Sequence, residues 1–127
     1  MLAAAVSCSA TGPSPWLPAG AELLAPPSEF PVWFDRTQSC SGRSGSYRSI
    51  EFYVVPGVDT FATDQGPKVG MWLRRGERHA IVLAGNWSRH EMVVRHEMLH
   101  SLLGQAGHPD TYFTERCRLT WEAWPGT

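Results

Sequence analysis

Three short stretches in the middle of the chain have the apolar pattern of β-strands. They cover residues 49–55, 68–74 and 79–84, and they are rich in β-branched, aromatic and aliphatic side chains. The first stretch stops at Pro56-Gly57, and a polar turn at residues 75–78 separates the second from the third. The pattern therefore predicts about three strands, one after another along the chain.

The spacing of apolar residues changes at residue 87 to that of an amphipathic helix, which we expect to run to residue 103. Asn86 or Ser88 is a candidate for its N-cap, and Gly104 or Gly107 for its end. The side chains at three- and four-residue spacings are expected to face the core: Val93, Val94, Met98, Leu99, Leu102 and Leu103.

The remaining segments have the composition of linkers and loops. Six of the ten prolines lie between residues 9 and 31, so we expect the packed domain to cover residues 31–127. Residues 39–45 are predicted to form a turn or loop, and residues 59–67 a loop or short helix. The predicted fold is a small α+β domain, with about three strands followed by one long helix and an irregular C-terminal tail.

Length and charge limit the classes of function. A chain of 127 residues has room for one small domain. Its formal net charge of -1 gives no electrostatic reason to expect a nucleic acid or an acidic membrane surface as partner. No stretch approaches the ~20 apolar residues of a transmembrane span.

The first eight residues end in small side chains followed by Cys8. They resemble the processing site of a bacterial lipoprotein, which implies a lipid anchor on Cys8 and an extracytoplasmic protein. We therefore interpret residues 1–30 as a shortened export signal and a proline-rich linker.

The other two cysteines, Cys40 and Cys117, do not form a CxxC pair. A metal cluster built on cysteine is therefore not expected. If the protein matures outside the cytoplasm, we expect a Cys40–Cys117 disulfide, which would stabilise the domain by roughly 2–4 kcal/mol. Two unpaired buried thiols are the alternative.

The predicted helix contains His96-Glu97-Met98-Leu99-His100, a complete HExxH motif. Residues four apart lie one turn above each other on the same helix face, so the two imidazoles can bind one Zn²⁺. Glu97 follows the first ligand directly and is close enough to accept a proton from a water at the metal. The alternative is a pair of exposed helix histidines without a ligand, which the surrounding apolar pattern disfavours.

An HExxH helix preceded by strands resembles the zincin metallopeptidases, which place this motif on a helix packed against a small sheet. The resemblance implies His96 and His100 as zinc ligands, Glu97 as catalytic base, and a peptide or protein substrate. By position, residues 79–84 would be the edge strand that pairs with the substrate. The wider sequence is also similar to small uncharacterised secreted bacterial proteins.

A catalytic zinc site needs a third protein ligand and one open position. The metzincin pattern HExxHxxGxxH is not met, because Ala106 stands where the third histidine belongs and no Met-turn follows. We expect His108 as third ligand, since imidazole is the usual partner in such extended motifs, and Asp110 as the alternative. Glu115 and Glu122 are candidates if a glutamate arrives from a later segment.

Other polar and aromatic residues carry weaker predictions. His79 and His90 are expected to be solvated, with His90 alternatively supporting the site. Tyr112 is a candidate for stabilising an oxyanion or binding substrate, but packing of Tyr112 and Phe113 onto the helix is favoured. Three tryptophans are expected in the core and two in the tail or a cleft: Trp33, Trp72 and Trp87, then Trp121 and Trp124.

The leading functional hypothesis is an extracytoplasmic zinc-dependent peptidase with Glu97 as general base. A non-catalytic, zinc-stapled binding module is the alternative, and a closed site with four protein ligands would support it. A cytosolic regulatory protease with reduced cysteines is the third hypothesis.

Overall fold

A four-stranded mixed sheet forms the centre of the computed structural model, which describes residues 16–126. The strands of the chain are β1 (Glu22–Leu23), β2 (Ile50–Val55), β3 (Phe61–Thr63), β4 (Gly66–Lys68), β5 (Gly70–Arg75) and β6 (Arg78–Ala84). The central sheet has the order β1-β2-β6-β5, and β3 pairs with β4 in a separate hairpin. The β2–β6 pairing is parallel, and the other pairings are antiparallel.

Two long helices accompany the sheet, α1 (Glu29–Ser41) and α2 (Glu91–Leu103). A π-helical turn covers Thr111–Arg116 in the tail. The α+β class and the three predicted strands are therefore confirmed. The helix α1 and the β3–β4 hairpin were not predicted.

The predicted edge strand at residues 79–84 is wrong, because β6 lies in the interior of the sheet. It pairs with β2 on one side and with β5 on the other. Its residues Ala80 to Ala84 are fully buried. This continuous apolar run is typical of a strand covered on both faces, as parallel strands usually are. Among the described residues, the edge strand of the sheet that contacts α2 is β5.

The packed part of the chain begins before residue 31. Strand β1 pairs with β2, and Phe30 in the first turn of α1 is fully buried. Pro31 does not disturb this helix, because the first N–H groups of a helix have no partner within it. The helix also extends through Ser41 into the predicted loop and ends at Gly42, which has the left-handed φ of 71° that favours glycine.

The limits of α2 differ from the prediction only at its start. The helix begins at Glu91, four residues after residue 87, and it ends at Gly104 as predicted. Neither candidate cap occupies the N-cap position. Asn86 donates instead to Asp59, and the Ser88 hydroxyl donates to the carbonyl of Gly85.

The sheet carries apolar clusters on both faces. Ile81 and Leu83 of β6 pack in the cluster formed with α1 and α2, whereas Val82 and Ala84 pack in a second cluster with Phe61 of the hairpin. All the helix residues expected in the core are buried except Leu103, which is partly buried. Among the tryptophans, Trp33 is buried, Trp72 and Trp87 are partly buried, and Trp121 is 56% exposed.

Cys40 in α1 and Cys117 after the π-helical turn form a disulfide, which confirms the predicted pair and excludes two free thiols. The bond joins residues 77 positions apart, so it fixes the tail against α1. Cys8 and the proposed export signal lie outside the described residues. Within residues 16–126, no helix is long and apolar enough to cross a membrane.

Candidate metal centre

The HExxH motif lies in the middle of α2, which packs against the start of β5. His96 and His100 are one turn apart, so their rings project from the same side of the helix. Their ring centroids are 5.0 Å apart. Glu97 follows His96, and its carboxylate lies against Gly70 at the start of β5.

His108 completes a group of three histidines. Gly104 ends α2 with a left-handed φ of 69°, and the chain then turns back toward the helix. The Nε2 atom of His108 lies 3.2 Å from Nε2 of His96 and 3.2 Å from Nε2 of His100. The candidate ligand atoms of the three residues all lie within 4.8 Å of one another. Two of the three ligands come from the helix and the third from the loop after it.

Backbone carbonyls orient two of the rings. Nδ1 of His96 lies 2.7 Å from the Leu119 carbonyl oxygen, and Nδ1 of His100 lies 3.0 Å from the Gln105 carbonyl oxygen. A carbonyl oxygen only accepts hydrogen bonds, so each Nδ1 carries the proton and donates it. Each Nε2 therefore keeps a free lone pair, which is the tautomer that ligates a metal in this arrangement.

The ring of Phe113 packs against all three imidazole rings. It is fully buried, and its ring centroid lies 4.8 Å from that of His96, 4.8 Å from that of His100 and 5.0 Å from that of His108. The prediction that Phe113 packs the tail onto the helix was right, but its contact with the histidines was not predicted. The π-helical turn thus supplies the apolar side chain against which the three imidazoles pack.

The three histidines can hold a metal ion. Two ligands at 2.0–2.1 Å from a tetrahedral ion are roughly 3.3 Å apart, which is close to the two 3.2 Å separations measured from His108. Burial lowers the pKa of His96 and of His100 to about 4, although hydrogen bonding to Leu119 and Gln105 opposes this shift. Burial also lowers the pKa of His108. All three rings are consequently neutral at pH 7, as metal binding requires.

Glu97 is the buried carboxyl group of the site, with 6% of its surface exposed. Burial raises its pKa to about 8, and the positive charge of Lys68 opposes the rise. A metal cation at the histidines would act in the same direction as Lys68 and favour the carboxylate. The group is therefore placed to exchange a proton near neutral pH.

An open cavity of about 510 Å³ lies in front of these residues. Its walls come from α2, from β4 and β5, and from the tail. Apolar side chains form the larger part of these walls, and the polar groups include the histidines and Glu97. The lining includes Gln65, Lys68, Val69, Met71, Trp72, Met92, Leu119, Trp121 and Glu122.

The ring of His100 also contacts Trp72, which belongs to a hydrogen-bonded group outside the three histidines. The indole of Trp72 stacks on the His100 ring, with centroids 6.2 Å apart and planes 17° from parallel. Trp72 donates its Nε1–H to Nδ1 of His79 at 3.0 Å, and the Ser101 hydroxyl lies 2.7 Å from the same nitrogen. His79 is thus part of a hydrogen-bonded group and is not simply solvated, which differs from the prediction.

Several candidate residues lie apart from the group of three histidines. Asp110 accepts a hydrogen bond from Thr114 at 3.4 Å and is not among the converging ligand atoms. Glu115 is exposed, and Glu122 lines the cavity without joining the group. Tyr112 does not line the cavity. Its hydroxyl accepts a hydrogen bond from Arg43 at 3.4 Å, and the guanidinium groups of Arg43 and Arg116 contact its ring.

His90 also stays outside the group. It occupies the N-cap position of α2 and contacts the rings of Trp87 and Trp121, whose centroids lie 5.4 Å and 5.8 Å from its own. Its Nδ1 is buried without a hydrogen-bond partner in the described residues. Of these three rings, only that of Trp121 lines the cavity.

Comparison with known proteins found no matching protein family, no matching curated protein and no matching solved structure.

Proposed function

We propose that the protein is a zinc-dependent hydrolase that cleaves peptide bonds, with Glu97 as general base. The observation that carries this proposal is the position of one buried carboxylate beside three converging imidazole nitrogens, in the wall of an open cavity. A purely structural metal site does not require a carboxyl group beside the ligand set in the wall of an open cavity, whereas hydrolysis requires such a base.

Zinc is the metal that the ligand set favours. Three imidazoles with near-tetrahedral spacing suit Zn²⁺, and three protein ligands leave one position open for water or substrate. When bound, the ion would polarise the scissile carbonyl and lower the pKa of water at the open position. His96, His100 and His108 would hold it, with Asp110 outside the ligand set.

Glu97 can carry out the two proton transfers that peptide hydrolysis requires. As a carboxylate it accepts a proton from the attacking water, and as an acid it returns that proton to the leaving amine. Its burial keeps bulk water from competing for the carboxylate. Gly70 leaves space for the group, because it has no side chain on the face of β5 that Glu97 contacts.

The free edge of β5 supports a peptide as the substrate. In the described residues β5 pairs only with β6, so the N–H and C=O groups of its outer edge are available. An extended peptide can add to such an edge as a further strand. Met71 and Trp72 of β5 line the cavity, so a peptide bound there would pass Glu97.

The test is hydrolysis of a peptide library by protein loaded with one equivalent of zinc, compared with the Glu97→Gln variant. We expect zinc to stay bound in Glu97→Gln while kcat falls by about a hundredfold or more. Glu77→Gln is the matched control, because Glu77 is exposed in the turn between β5 and β6. Full activity of Glu97→Gln with zinc bound would contradict the proposal.

A non-catalytic, zinc-stapled binding module is the second candidate. One observation favours it: the histidines come from α2 and from the loop after it, so the ion would also fix the tail. X-ray absorption spectroscopy separates the two candidates. Four protein ligands would favour the staple, and three histidines with one water oxygen would favour the hydrolase.

We also propose that the protein works outside the cytoplasm. The Cys40–Cys117 disulfide supports this location, since oxidising compartments preserve such bonds. The cytosolic alternative would require both thiols to be reduced in the native protein.

A further inference from the structure

The single lysine of the chain lies in the cavity of the candidate metal centre. Lys68 ends β4 and is separated from the start of β5 by Val69 alone. Among the described residues that line the cavity, it is the only Lys or Arg. The carboxyl groups in the lining are those of Glu97 and Glu122. The position of this cation is set by the β3–β4 hairpin, which the sequence pattern did not predict.

Lys68 has no carboxylate partner in the described part of the chain. Salt bridges there join Arg36, Arg78, Arg89 and Arg95 to glutamates, and none involves Lys68. The residue is half-buried, so part of its side chain lies against the protein while no ion pair fixes its ammonium group. Lys68 lines the same cavity as Glu97 and the three histidines, which places it near these groups.

We propose that Lys68 is a specificity residue that binds a substrate carboxylate on the C-terminal side of the scissile bond. This inference rests on the proposed peptidase function and names the class of substrate for that site. The carboxylate is either the side chain of an Asp or Glu or the free C-terminus of the peptide, because both present the same anion to an ammonium group.

The side of the scissile bond follows from strand direction. A peptide added to β5 in the antiparallel sense, the more stable pairing, runs opposite to the chain. Gly70 touches Glu97, so the peptide residue opposite Gly70 lies at the scissile bond. Moving back from Gly70 to Lys68 moves two residues toward the C-terminus of the peptide. The carboxylate should therefore lie one or two residues beyond the bond that is cut.

The experiment uses zinc-loaded protein and amidated octapeptides that carry one Glu, or Gln in its place, at each position in turn. A further pair differs only in a free or amidated C-terminus. Mass spectrometry gives the cleaved bond and the ratio of kcat/KM between the members of each pair. We compare wild type with Lys68→Met, which keeps the length of the side chain, and with Arg74→Met, which removes an exposed cation of β5 that does not line the cavity.

We expect the Glu-to-Gln ratio in wild type to be about fivefold or more at one of the two positions after the scissile bond. If the carboxylate that Lys68 binds is the free C-terminus, the preference will appear instead in the ratio of kcat/KM between the free and the amidated peptide. In Lys68→Met the ratio should fall to about one, whereas Arg74→Met should keep it. A ratio that survives Lys68→Met, or a preference confined to the N-terminal side of the scissile bond, would overturn the inference.

A binding measurement separates this inference from the proposed function. Fluorescence anisotropy of the same peptides, labelled with tetramethylrhodamine, reports affinity for zinc-loaded Glu97→Gln without any hydrolysis. Weaker binding of the carboxylate peptides to the Glu97→Gln/Lys68→Met double variant, with no change for the neutral peptides, supports the role of Lys68 even if wild type cleaves nothing. Equal affinities of the carboxylate and neutral peptides for Glu97→Gln would overturn it even if wild type is an active peptidase.

Discussion

Glu97 lies directly against the backbone of Gly70. A Cβ atom at Gly70 would stand 3.1 Å from Cγ of Glu97 and 3.1 Å from its Oε2 atom. Real Cβ contacts are rarely that close, so the glycine leaves the space that the carboxyl group of Glu97 occupies. The edge strand β5 and the HExxH helix are thereby closely packed at Glu97.

Gly70→Ala should therefore displace Glu97 while leaving the metal ligands in place. We expect kcat to fall by about tenfold or more, because small misplacements of a catalytic group are costly, with zinc affinity unchanged within about twofold. Peptide hydrolysis and zinc titration of the same sample check this. Gly107→Ala is the control, since a Cβ there would make only an ordinary 3.6 Å contact. Unchanged kcat in Gly70→Ala would refute the positioning role.

Phe113 should determine zinc affinity through its contacts with the three imidazoles. Phe113→Leu keeps an apolar side chain but removes the ring beneath the ligands, and we expect the zinc Kd to rise about tenfold. Competition with a chromophoric chelator measures it. Phe61→Leu is the control, because Phe61 is also a buried phenylalanine but lies in the cluster on the other face of the sheet. Equal zinc affinities in the two variants would contradict this role.

The disulfide should support the metal centre as well as the fold. Cys117 lies between Phe113 and Leu119, whose carbonyl fixes the His96 ring, so the bond holds both groups in place. The double variant Cys40→Ser/Cys117→Ser should lose roughly 2–4 kcal/mol of unfolding free energy, measured in urea. Its zinc affinity should fall as well. Loss of stability with unaltered zinc affinity would show that the tail is positioned without the bond.

The stability of the metal-free protein should depend on pH in two directions. His96 and His100 have folded pKa values of about 4, below the ordinary 6.5. Protonation therefore favours the unfolded state, and the free energy of unfolding falls as the pH drops from 6.5 toward 4. Glu97 has a folded pKa of about 8, above the ordinary 4.5, so its contribution is present below pH 4.5 and is lost as the pH rises toward 8.

Together these shifts predict maximum stability near pH 6.5, since two histidines outweigh one carboxyl group below that pH and Glu97 acts alone above it. Thermal unfolding of metal-free protein between pH 4 and 9 tests this. Glu97→Gln should remove the decline on the alkaline side and leave the decline on the acidic side. A decline above pH 6.5 that persists in Glu97→Gln would assign it to another group.

The three histidines could be predicted from sequence as candidate metal ligands because their convergence depends on short-range geometry. His96 and His100 are one helical turn apart in any helix, and Gly104 marks where that helix ends. The Cys40–Cys117 pair followed from counting the cysteines within the predicted domain. His108 was favoured on residue type, and the structure brings it to the other two histidines.

The supporting residues could not be predicted in the same way, because their roles depend on contacts between distant segments. Phe113, the Leu119 carbonyl and Lys68 reach the site only through the fold of the tail and the hairpin. The edge strand was misplaced because sequence order does not give strand order, although the continuous apolar run at residues 80–84 is itself typical of an interior strand. The proline-rich composition of residues 9–31 concealed the start of α1, because Pro31 lies in the first helical turn, where proline is tolerated.

The most direct test of the proposed metal centre is zinc affinity in His108→Ala beside Asp110→Ala, titrated against a chromophoric chelator. Wild type and Asp110→Ala should each bind one zinc ion with similar affinity, because the Asp110 carboxylate lies outside the group of converging ligands. His108→Ala should bind zinc about a hundredfold more weakly or lose it. Zinc binding by His108→Ala as tight as in wild type would contradict the three-histidine centre.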